Sequence, residues 1–538
     1  MSDTSVHLLS RDEILARARA LLRKGDKEKG GADDMGHSEY DAAWIARIPK
    51  PGLREPAFPE MLASVRSSQS HDGGWAPEVE YVSARILATL ASILAVLEFD
   101  DGPDARREAE RGVAFVRDNW LRIRKEPDLT IGFEVVAATL IEDVCKRGFN
   151  LEELRAETDA LRREKLAKVP PQLMYSPKFN LGYTIEFMGD ALDVAQAQQL
   201  LISNDSISAN VAATAYFVRQ CRLKPEQCEP RNSERAFRFI QDTVDTWGVK
   251  RVPCNMPSTL WASIWLLYHL ELAGLVPELK AELKPYFEQI SNSIAPHGLA
   301  WSTLVSYGDS DDTAVGFMLL QDHGYKVDWS LLCQYERPHG FVGFLAERGL
   351  SVSANAHVLD AILGRPYPKA EAVAENQATV EKVARFLLKQ RVDGAYWTDK
   401  WHASPFYVTS HAILPLLRWD AQSVLPSVQW LEQQQRADGG WGWFGRSSAE
   451  ETAYALYALA SSHAKGVSVD PKVLARGLTF LEPYDGTESD DLHLHLWIGK
   501  GLYRPLFVVR ATVLAAQTLC SQVLAKVDPQ ARTGRLSA

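Results

Sequence analysis

The sequence lacks the features that mark several common classes of protein. Its six cysteines are scattered and never form a Cys-x-x-Cys pair, a spacing that supports neither a zinc site nor a disulfide framework. No dense Lys/Arg stripe offsets the net charge of −10, so we expect no nucleic-acid partner. No apolar stretch approaches the roughly 18 residues of a membrane span, and the first residues have no signal-peptide core. We therefore expect a reduced, cytoplasmic protein with no membrane span.

Alternating strand patterns are also few and short. Apolar residues at three-and-four spacing recur along the 538 residues instead, in segments such as RILATLASILAVLEF and TLWASIWLLYHLELAGL. Many half-apolar helices joined by Gly, Pro and Asp turns indicate helical hairpins that bury their faces against each other. We predict an all-α fold.

A short motif repeats along the chain. QSHDGGW (69–75), QRVDGAYW (390–397) and QRADGGW (435–441) each contain Gln, a short spacer, Asp-Gly and then Trp. Asp-Gly favours a turn, the Gln can bond the end of the next helix, and the Trp can fill the gap between helices. We interpret this motif as structural, with no role in chemistry.

Three aspartates, Asp309, Asp311 and Asp312, precede an apolar helical run. Taken alone, DSDD has an ordinary explanation as a helix start, where Asp and Ser are favoured as caps. Alternatively, crowded carboxyl groups raise one another's pKa, and burial raises it further, which keeps a carboxylic acid protonated for use. The run by itself leaves both interpretations open.

The blocks around this run resemble, in their content and order, the class II terpene cyclases. The blocks are SEYDAAWIARIPKP, LTIGFEVVAATLIE, KLAKVP, VPCNMPSTLWASIW, the DxDDTA region after GLAWSTLVSYG, SVSANAHVLDAI, DKWHASPFYVTSHAI and LWIGKGLYRPLFVVRATVLAA. The resemblance covers nearly the whole chain. It implies two α/α barrels with the active site between them: a β domain of residues 1–50 plus 280–538, and an inserted γ domain of residues 51–279.

The family's third domain, which ionises the diphosphate, is too large for the residues that remain. DDGPD (100–104) fits the motif of that chemistry, but its Gly-Pro centre favours a surface turn. The diphosphate of the substrate is therefore expected to survive the reaction.

The resemblance also assigns residues. Asp311 is implied as the general acid that protonates an alkene, with Asp309 and Asp312 tuning it and the Asn355 amide bonding it. A carbocation is stabilised by aromatic faces, although ordinary core packing is the alternative for each aromatic residue here. The aromatic candidates are Trp301, Phe341, Phe344, Trp401 and Tyr407.

Lys165 of KLAKVP matches the family's diphosphate anchor, with a solvated helix charge as the alternative. Plant members bind Mg²⁺ through an acidic cluster just before GFE, but this chain has RKEPDLTIGFE there. That leaves Glu134 and Glu126 as metal candidates, with a salt-bridged helix start as the alternative. Plant copalyl-type members also carry a His–Asn pair that supports deprotonation. The matching positions here are Tyr183 and Cys254, which puts a copalyl product in doubt and makes rearranged skeletons plausible.

The resemblance thus implies a monofunctional class II cyclase that uses Mg²⁺. It would convert geranylgeranyl diphosphate into a bicyclic diterpenyl diphosphate of labdane, halimadienyl or clerodienyl type. The enzyme would act as a monomer or homodimer, with a class I synthase or a phosphatase downstream.

Other functions stay open at this point. Farnesyl diphosphate could be cyclised to a drimenyl-type product. Squalene cyclisation would call for a richer repeat set and a membrane-docking helix. A protein prenyltransferase β subunit would need an Asp/Cys/His zinc set, which we do not see in the sequence. A non-catalytic helical-repeat scaffold would not need a buried acid triplet.

Overall fold

The computed structural model describes residues 5–27, 34–76, 78–347, 349–368, 373–487, 491–527 and 536–537. Over these residues the chain is mostly helical, which confirms the predicted all-α class. The helices are α1 Arg11–Lys27, α2 Glu39–Ala46, α3 Pro59–Ser67, α4 Val82–Phe99, α5 Pro103–Asn119, α6 Phe133–Lys146, α7 Glu152–Leu166, α8 Val194–Ala197, α9 Val211–Leu223, α10 Pro230–Trp247, α11 Thr259–Leu272, α12 Lys280–Asn292, α13 Ser310–Asp322, α14 Ser330–Cys333, α15 Val352–Ile362, α16 Val373–Lys389, α17 Pro405–Trp419, α18 Leu425–Gln433, α19 Ala449–Ala464, α20 Pro471–Phe480 and α21 Leu506–Val527.

Shorter elements connect these helices. The 3-10 segments are Trp120–Lys125, Pro171–Leu173, Asn180–Ala191, Gln198–Leu200, Pro225–Gln227, Val276–Leu279 and Ala421–Val424. Three antiparallel pairs of two-residue strands are present: β1 Ser5–Val6 with β6 Leu536–Ser537, β2 Glu336–Arg337 with β3 Gly340–Phe341, and β4 Trp497–Ile498 with β5 Leu502–Tyr503.

The larger half of the molecule is a closed ring of buried helices. Each inner helix contacts the next, and the last contacts the first, in the order α11, α13, α15, α17, α19, α21. Every residue of α15 is buried, whereas the outer helix α16 buries only one side, with an apolar stripe of Val380, Val383 and Leu387. An inner ring of buried helices covered by half-buried ones is an α/α barrel.

The second ring is smaller and has its own core. Its inner members contact one another in the order α2, α4, α6, Asn180–Ala191, α9 and back to α2. Helix α4 is almost wholly buried because it is apolar on all sides. The outer helix α10 keeps Phe239, Ile240 and Thr243 inward and its charged residues outward.

The rings divide the chain at other points than the expected domain bounds of 1–50 plus 280–538 and 51–279. Helix α2, expected in the β domain, packs on α4 and α9 because its apolar residues Trp44 and Ile45 complete the smaller ring. Helix α11, expected in the γ domain, closes the larger ring against α21. Helix α1 packs on α21, so the N-terminal segment contributes to both rings.

Two sequence expectations need correction. Helices α4 and α21 are long and apolar enough to cross a membrane by length and composition alone, although both are inner helices and mostly buried in the protein. The expectation that the cysteines are unpaired also fails. A disulfide joins Cys221 near the end of α9 to Cys228, whose Cα atoms are 5.3 Å apart, because the short connection to α10 folds back.

The Gln–Asp-Gly–Trp repeat is structural, as interpreted. The indole N–H groups of Trp75, Trp397 and Trp441 each donate at 2.7 Å to a backbone carbonyl ten residues earlier in the chain. The Gln435 side-chain amide bonds the Gly439 carbonyl of its own turn and the Val473 carbonyl of α20. The repeat therefore locks each turn to the end of an outer helix.

Candidate active site

The inner helices of the larger ring begin close together, at the end that faces the smaller ring. Neighbouring helix starts are joined by side chains: Glu451 at the start of α19 accepts from Ser404, the cap of α17, at 2.6 Å. Asp399, just before α17, accepts from the Val352 backbone N–H at the start of α15 at 2.8 Å. The loops that lead into α13 and α21 contact the smaller ring, for example through Gly499, whose carbonyl accepts from the Ile131 N–H at 2.9 Å.

The three predicted acids lie at the start of α13 in different environments. Asp309 is the helix cap and accepts from the Asp312 N–H at 2.7 Å. Burial, and then the neighbouring Asp311, raise the pKa of Asp309 to about 7. Burial, with the two neighbouring carboxyls, raises the pKa of Asp312 well above its usual 3.8. The Asp311 side chain is 20% exposed, so it is the member of the triplet that a ligand can reach.

The partner of Asp311 is a histidine, not the predicted asparagine. Nδ1 of His357 lies 2.5 Å from Oδ1 of Asp311, and Nε2 of His357 lies 2.7 Å from Nδ1 of His411. Burial, and then His357, hold the pKa of His411 well below 6.5, so His411 is neutral at neutral pH. The Asp311–His357–His411 chain therefore runs from the reachable acid into the barrel core.

The prediction that Asn355 bonds Asp311 is wrong. Its amide donates to the carbonyls of Phe341 at 2.8 Å and Ser351 at 2.7 Å, and its oxygen accepts from the Phe341 N–H at 2.8 Å. Asn355 thus ties β3 to α15. His357 stood in the same block, SVSANAHVLDAI, but the sequence carried no sign of which of the two polar side chains would face the acid.

Beside the acid lies a group of rings that we call the aromatic cluster: Trp261, Trp265, Tyr407, Trp497 and Tyr503. The ring centroids of Tyr407 and Trp497 are 4.9 Å apart, and those of Trp261 and Trp497 are also 4.9 Å apart. The Trp265 ring centroid is 4.8 Å from that of His357, the partner of the acid. Of the predicted aromatic residues, Tyr407 alone belongs to this cluster.

The other predicted aromatics lie elsewhere. Trp301 meets Tyr183 of the smaller ring edge to face at 6.5 Å, and Phe344 meets Trp401 at 6.0 Å, so these four border the contact between the rings. Phe341 packs against Tyr367 in the core of the larger ring, with centroids 6.1 Å apart. We therefore assign Phe341 to core packing.

Tyr183 and Cys254 lie in one buried neighbourhood, where Lys500 bonds the Tyr183 carbonyl and Asn210, and Asn210 bonds the Cys254 carbonyl. Burial raises the pKa of both side chains well above the usual values, and Cys254 is the next contributor to the rise at Tyr183. Burial also raises the pKa of Tyr503, with Cys254, Asp312 and Glu450 adding to the rise.

The predicted anion and metal residues lie on the smaller ring. The Nζ of Lys165 is 2.9 Å from Oε1 of Glu134, and the Lys165 side chain is 53% exposed. Glu126 does not fit a metal ligand, because its carboxylate caps α4 by accepting from the backbone N–H groups of Val82 and Ser83. DDGPD forms the turn into α5, as interpreted. In the described part of the chain no three His, Cys, Asp or Glu side chains are grouped to hold a metal ion.

Sequence reasoning missed a buried charge network between the rings. Lys500, between β4 and β5, is 1% exposed; its Nζ donates to Oδ1 of Asn210 at 2.7 Å, to the carbonyl of Tyr183 at 2.8 Å and to Glu186 at 2.5 Å. Burial raises the pKa of nearby Asp41 to about 6, although Lys500 opposes the rise. The sequence did contain a sign of this network, because Lys500 is the one lysine in the segment LWIGKGLYRP, between two glycines that follow an apolar run.

The chain is similar to known terpene cyclases. Residues 351–491 match the family described as squalene-hopene cyclase C-terminal domain. The chain is 26% identical over 521 residues to a type B diterpene cyclase from Mycobacterium tuberculosis, across 94% of this chain and 99% of that protein. The solved ent-copalyl diphosphate synthase from Streptomyces platensis is 26% identical, with a TM-score of 0.72 across 94% of this chain and 99% of that one. The Arabidopsis thaliana ent-copalyl diphosphate synthase shares the fold, with 20% identity and a TM-score of 0.66 across 94% of this chain and 63% of that one.

Proposed function

We propose that this class II diterpene cyclase, which is of the copalyl diphosphate synthase type, converts geranylgeranyl diphosphate into a bicyclic diterpenyl diphosphate. The observation that carries the proposal is the pairing of Asp311 with His357 beside the aromatic cluster. The names of the relatives, a diterpene cyclase and a copalyl diphosphate synthase, support a C20 substrate over the C15 alternative.

The first step is proton transfer from Asp311. An alkene is a very weak base, so its proton donor has to be a strong acid held in a dry site. The raised pKa values of Asp309 and Asp312 increase the protonated fraction of those carboxyls, which limits the negative charge around Asp311. When the terminal alkene takes the proton, its π electrons form the new C–H bond and a tertiary carbocation remains. His357 then donates a hydrogen bond to the Asp311 carboxylate.

The cation is stabilised next to the acid. The faces of aromatic rings attract a cation, by up to roughly 2 kcal/mol each when the site is dry. Trp265 and Tyr407 lie on the His357 side of the cluster, where the charge first forms. Two successive attacks by internal alkenes close the two rings, and the diphosphate stays on the product.

The positions of Tyr183 and Cys254 favour a rearranged product. A phenol and a thiol whose pKa values are raised by burial stay neutral, and neutral groups of this kind are poor proton acceptors. Without the family's His–Asn pair, the bicyclic cation survives longer, and hydride and methyl shifts can lead to halimadienyl or clerodienyl skeletons. An unrearranged labdane product is the alternative, with a base elsewhere.

We include Mg²⁺ in the proposal as a cation that would bind the diphosphate of the substrate. Glu134 is the predicted ligand that remains, and it is already paired with Lys165, so the residues do not form a complete metal site by themselves. Oxygen ligands are what Mg²⁺ prefers, and substrate phosphates commonly supply them. Lys165 would then contact the diphosphate as a charge-assisted donor.

Product analysis tests the proposal. The purified protein is incubated with geranylgeranyl or farnesyl diphosphate and Mg²⁺, the products are dephosphorylated, and mass spectrometry and NMR identify the skeletons. A bicyclic C20 alcohol is the expected result. A drimane-type C15 alcohol as the main product would shift the substrate assignment, and recovery of only linear alcohols from both substrates would overturn the cyclase proposal.

A further inference from the structure

Tyr407 has ring neighbours that bond two different acids: its centroid is 6.3 Å from that of His357, the partner of Asp311, and 4.9 Å from that of Trp497, which bonds a second acid, Glu450. Glu450, in the first turn of α19, is 1% exposed. Its Oε1 accepts from the Trp497 indole N–H at 2.7 Å and from the Tyr454 hydroxyl at 2.9 Å. Its Oε2 is also buried, yet it has no hydrogen-bond partner among the described residues. A buried oxygen without a partner is costly, so its presence needs an explanation.

His402 completes the surroundings of this acid. Its Nε2 lies 3.5 Å from Oε1 of Glu450, and its ring stacks on Tyr407 with centroids 4.8 Å apart. Nδ1 of His402 accepts from the Ser404 backbone N–H at 3.1 Å, which leaves Nε2 as the protonated nitrogen of the neutral ring. At this distance Nε2 of His402 makes no hydrogen bond to Glu450 and has no partner among the described residues, so Oε2 of Glu450 stays free.

The neighbouring carboxylates are used differently. Glu451, the next residue, accepts from Ser404, from Trp443 and from Ser448 through both of its oxygens. Asp399 likewise bonds the start of α15 through both oxygens. Among these acids at the helix starts, Glu450 has an oxygen without a hydrogen-bond partner, and it borders the aromatic cluster through Trp497.

We propose that Glu450 is the proton acceptor that ends the cyclisation, an inference that rests on the proposed function. A fixed carboxylate bonded to Trp497 of the aromatic cluster attracts the migrating positive charge. In the last step Oε2 takes a proton from the carbon next to the cationic centre. The electrons of the broken C–H bond form the product alkene and neutralise the cation. After product release Glu450 loses its proton to water, and Asp311 takes one from water.

The test separates the start of the reaction from its end. Geranylgeranyl diphosphate is turned over in D₂O by the wild type and by Glu450→Gln, which keeps the shape of the side chain and removes its charge. Initiation places one deuterium at the protonated terminus in either protein. We expect the variant to lose about 10²-fold or more in kcat, since a positioned base contributes on that scale. We also expect its products to shift toward hydroxylated compounds or isomers with another double-bond position.

Glu451→Gln is the matched control, because this carboxylate is buried in the same helical turn but is bonded through both oxygens. It should lower the melting temperature and leave the product ratio unchanged. Glu450→Asp, one methylene shorter, should keep partial turnover with an altered ratio, and it replaces Glu450→Gln if that variant does not fold.

The outcomes distinguish the two proposals. An unchanged product ratio in folded Glu450→Gln, with kcat within threefold of wild type, overturns the role of Glu450 and leaves the cyclase intact. An unchanged ratio in Glu450→Asp has the same meaning. A wild type that yields no deuterated bicyclic product overturns the proposed function itself.

Discussion

Replacing Lys500 with methionine should destabilise the contact between the two barrels by about 3–5 kcal/mol, the usual cost of removing one partner of a buried ion pair. The side chain of methionine fills a similar volume, so the change removes mainly the charge and its three hydrogen bonds. Glu186 is left behind: its side chain is fully buried, its Oε2 already has no partner among the described residues, and its Oε1 keeps only the Tyr40 hydroxyl at 3.4 Å. The loss of stability comes from this carboxylate, which stays buried without its positively charged partner.

The expected change in melting temperature follows from the size of the barrels. For domains of about 150–250 residues, 1 kcal/mol shifts the melting temperature by roughly 2–4 °C, so we expect a fall on the order of 10 °C. Adding Glu186→Leu to Lys500→Met removes both charges, and apolar replacement of a whole buried pair is often neutral. The double variant should therefore be more stable than Lys500→Met alone.

The assay is a double-mutant cycle by thermal and urea denaturation, followed by circular dichroism and by tryptophan fluorescence. A coupling energy of several kcal/mol between Lys500 and Glu186 is expected. The reasoning is refuted if Lys500→Met loses less than about 1 kcal/mol, or if the effects of the two substitutions simply add.

Four further predictions concern the acid, the anchor, acid stability and the end of the reaction. Asp311→Asn should lose about 10³-fold or more in kcat with an unchanged melting curve; a variant that keeps over a tenth of the wild-type rate contradicts the assignment. Lys165→Ala should weaken the binding of diphosphate substrates by roughly 1.5–3 kcal/mol and leave the binding of a prenyl alcohol unchanged, as measured by calorimetry. If the binding of both ligands is weakened equally, Lys165 is not part of the site. Burial lowers the pKa of His269 from 6.5 to about 4, so between those values the unfolded chain binds a proton that the folded one does not. The contribution of His269 to stability should therefore fall as pH drops from 6.5 toward 4, by up to about 1.4 kcal/mol per pH unit, while the raised pKa values of Asp309 and Asp41 act in the opposite direction; urea midpoints of the wild type and His269→Gln that change equally between pH 7 and pH 5 would disagree. If the wild-type product is rearranged, Tyr183→His with Cys254→Asn should shift some of it toward copalyl diphosphate, and no shift would exclude these positions from termination.

The parts of the fold that depend on local periodicity were predictable. The helix class followed from apolar spacing, and the resemblance to the class II terpene cyclases is confirmed by the relatives found. The ring membership of α2 and α11 was not predictable from local pattern, because both helices are apolar on most sides and could close either ring. Only the long-range contacts decide which core each helix completes.

In the site too, features set by neighbouring residues were predictable, and contacts with residues far along the chain were not. Asp309 caps its own helix, so its position followed from the DSDD run. Asn355 and His357 are two residues apart on α15, about 200° around a helix, so only one of them can face Asp311. Asn355 faces away from Asp311 because its amide bonds the backbone of Phe341, which is 14 residues earlier in the chain. Glu126 was misassigned for a similar reason: its carboxylate bonds a helix start 44 residues earlier.

The joined helix starts of the larger barrel have an electrostatic consequence for the reaction. The first turn of an α-helix carries a partial positive charge of about half an elementary charge, which repels a cation. Helices α13, α15, α17 and α19 all begin beside the place where the carbocation is proposed to form. The carboxylate of Asp399 bonds the start of α15 through both oxygens and counters its field. Replacing Asp399 with a neutral residue would therefore raise the local potential as well as weaken a helix end, so at this position barrel stability and cation lifetime cannot be adjusted separately.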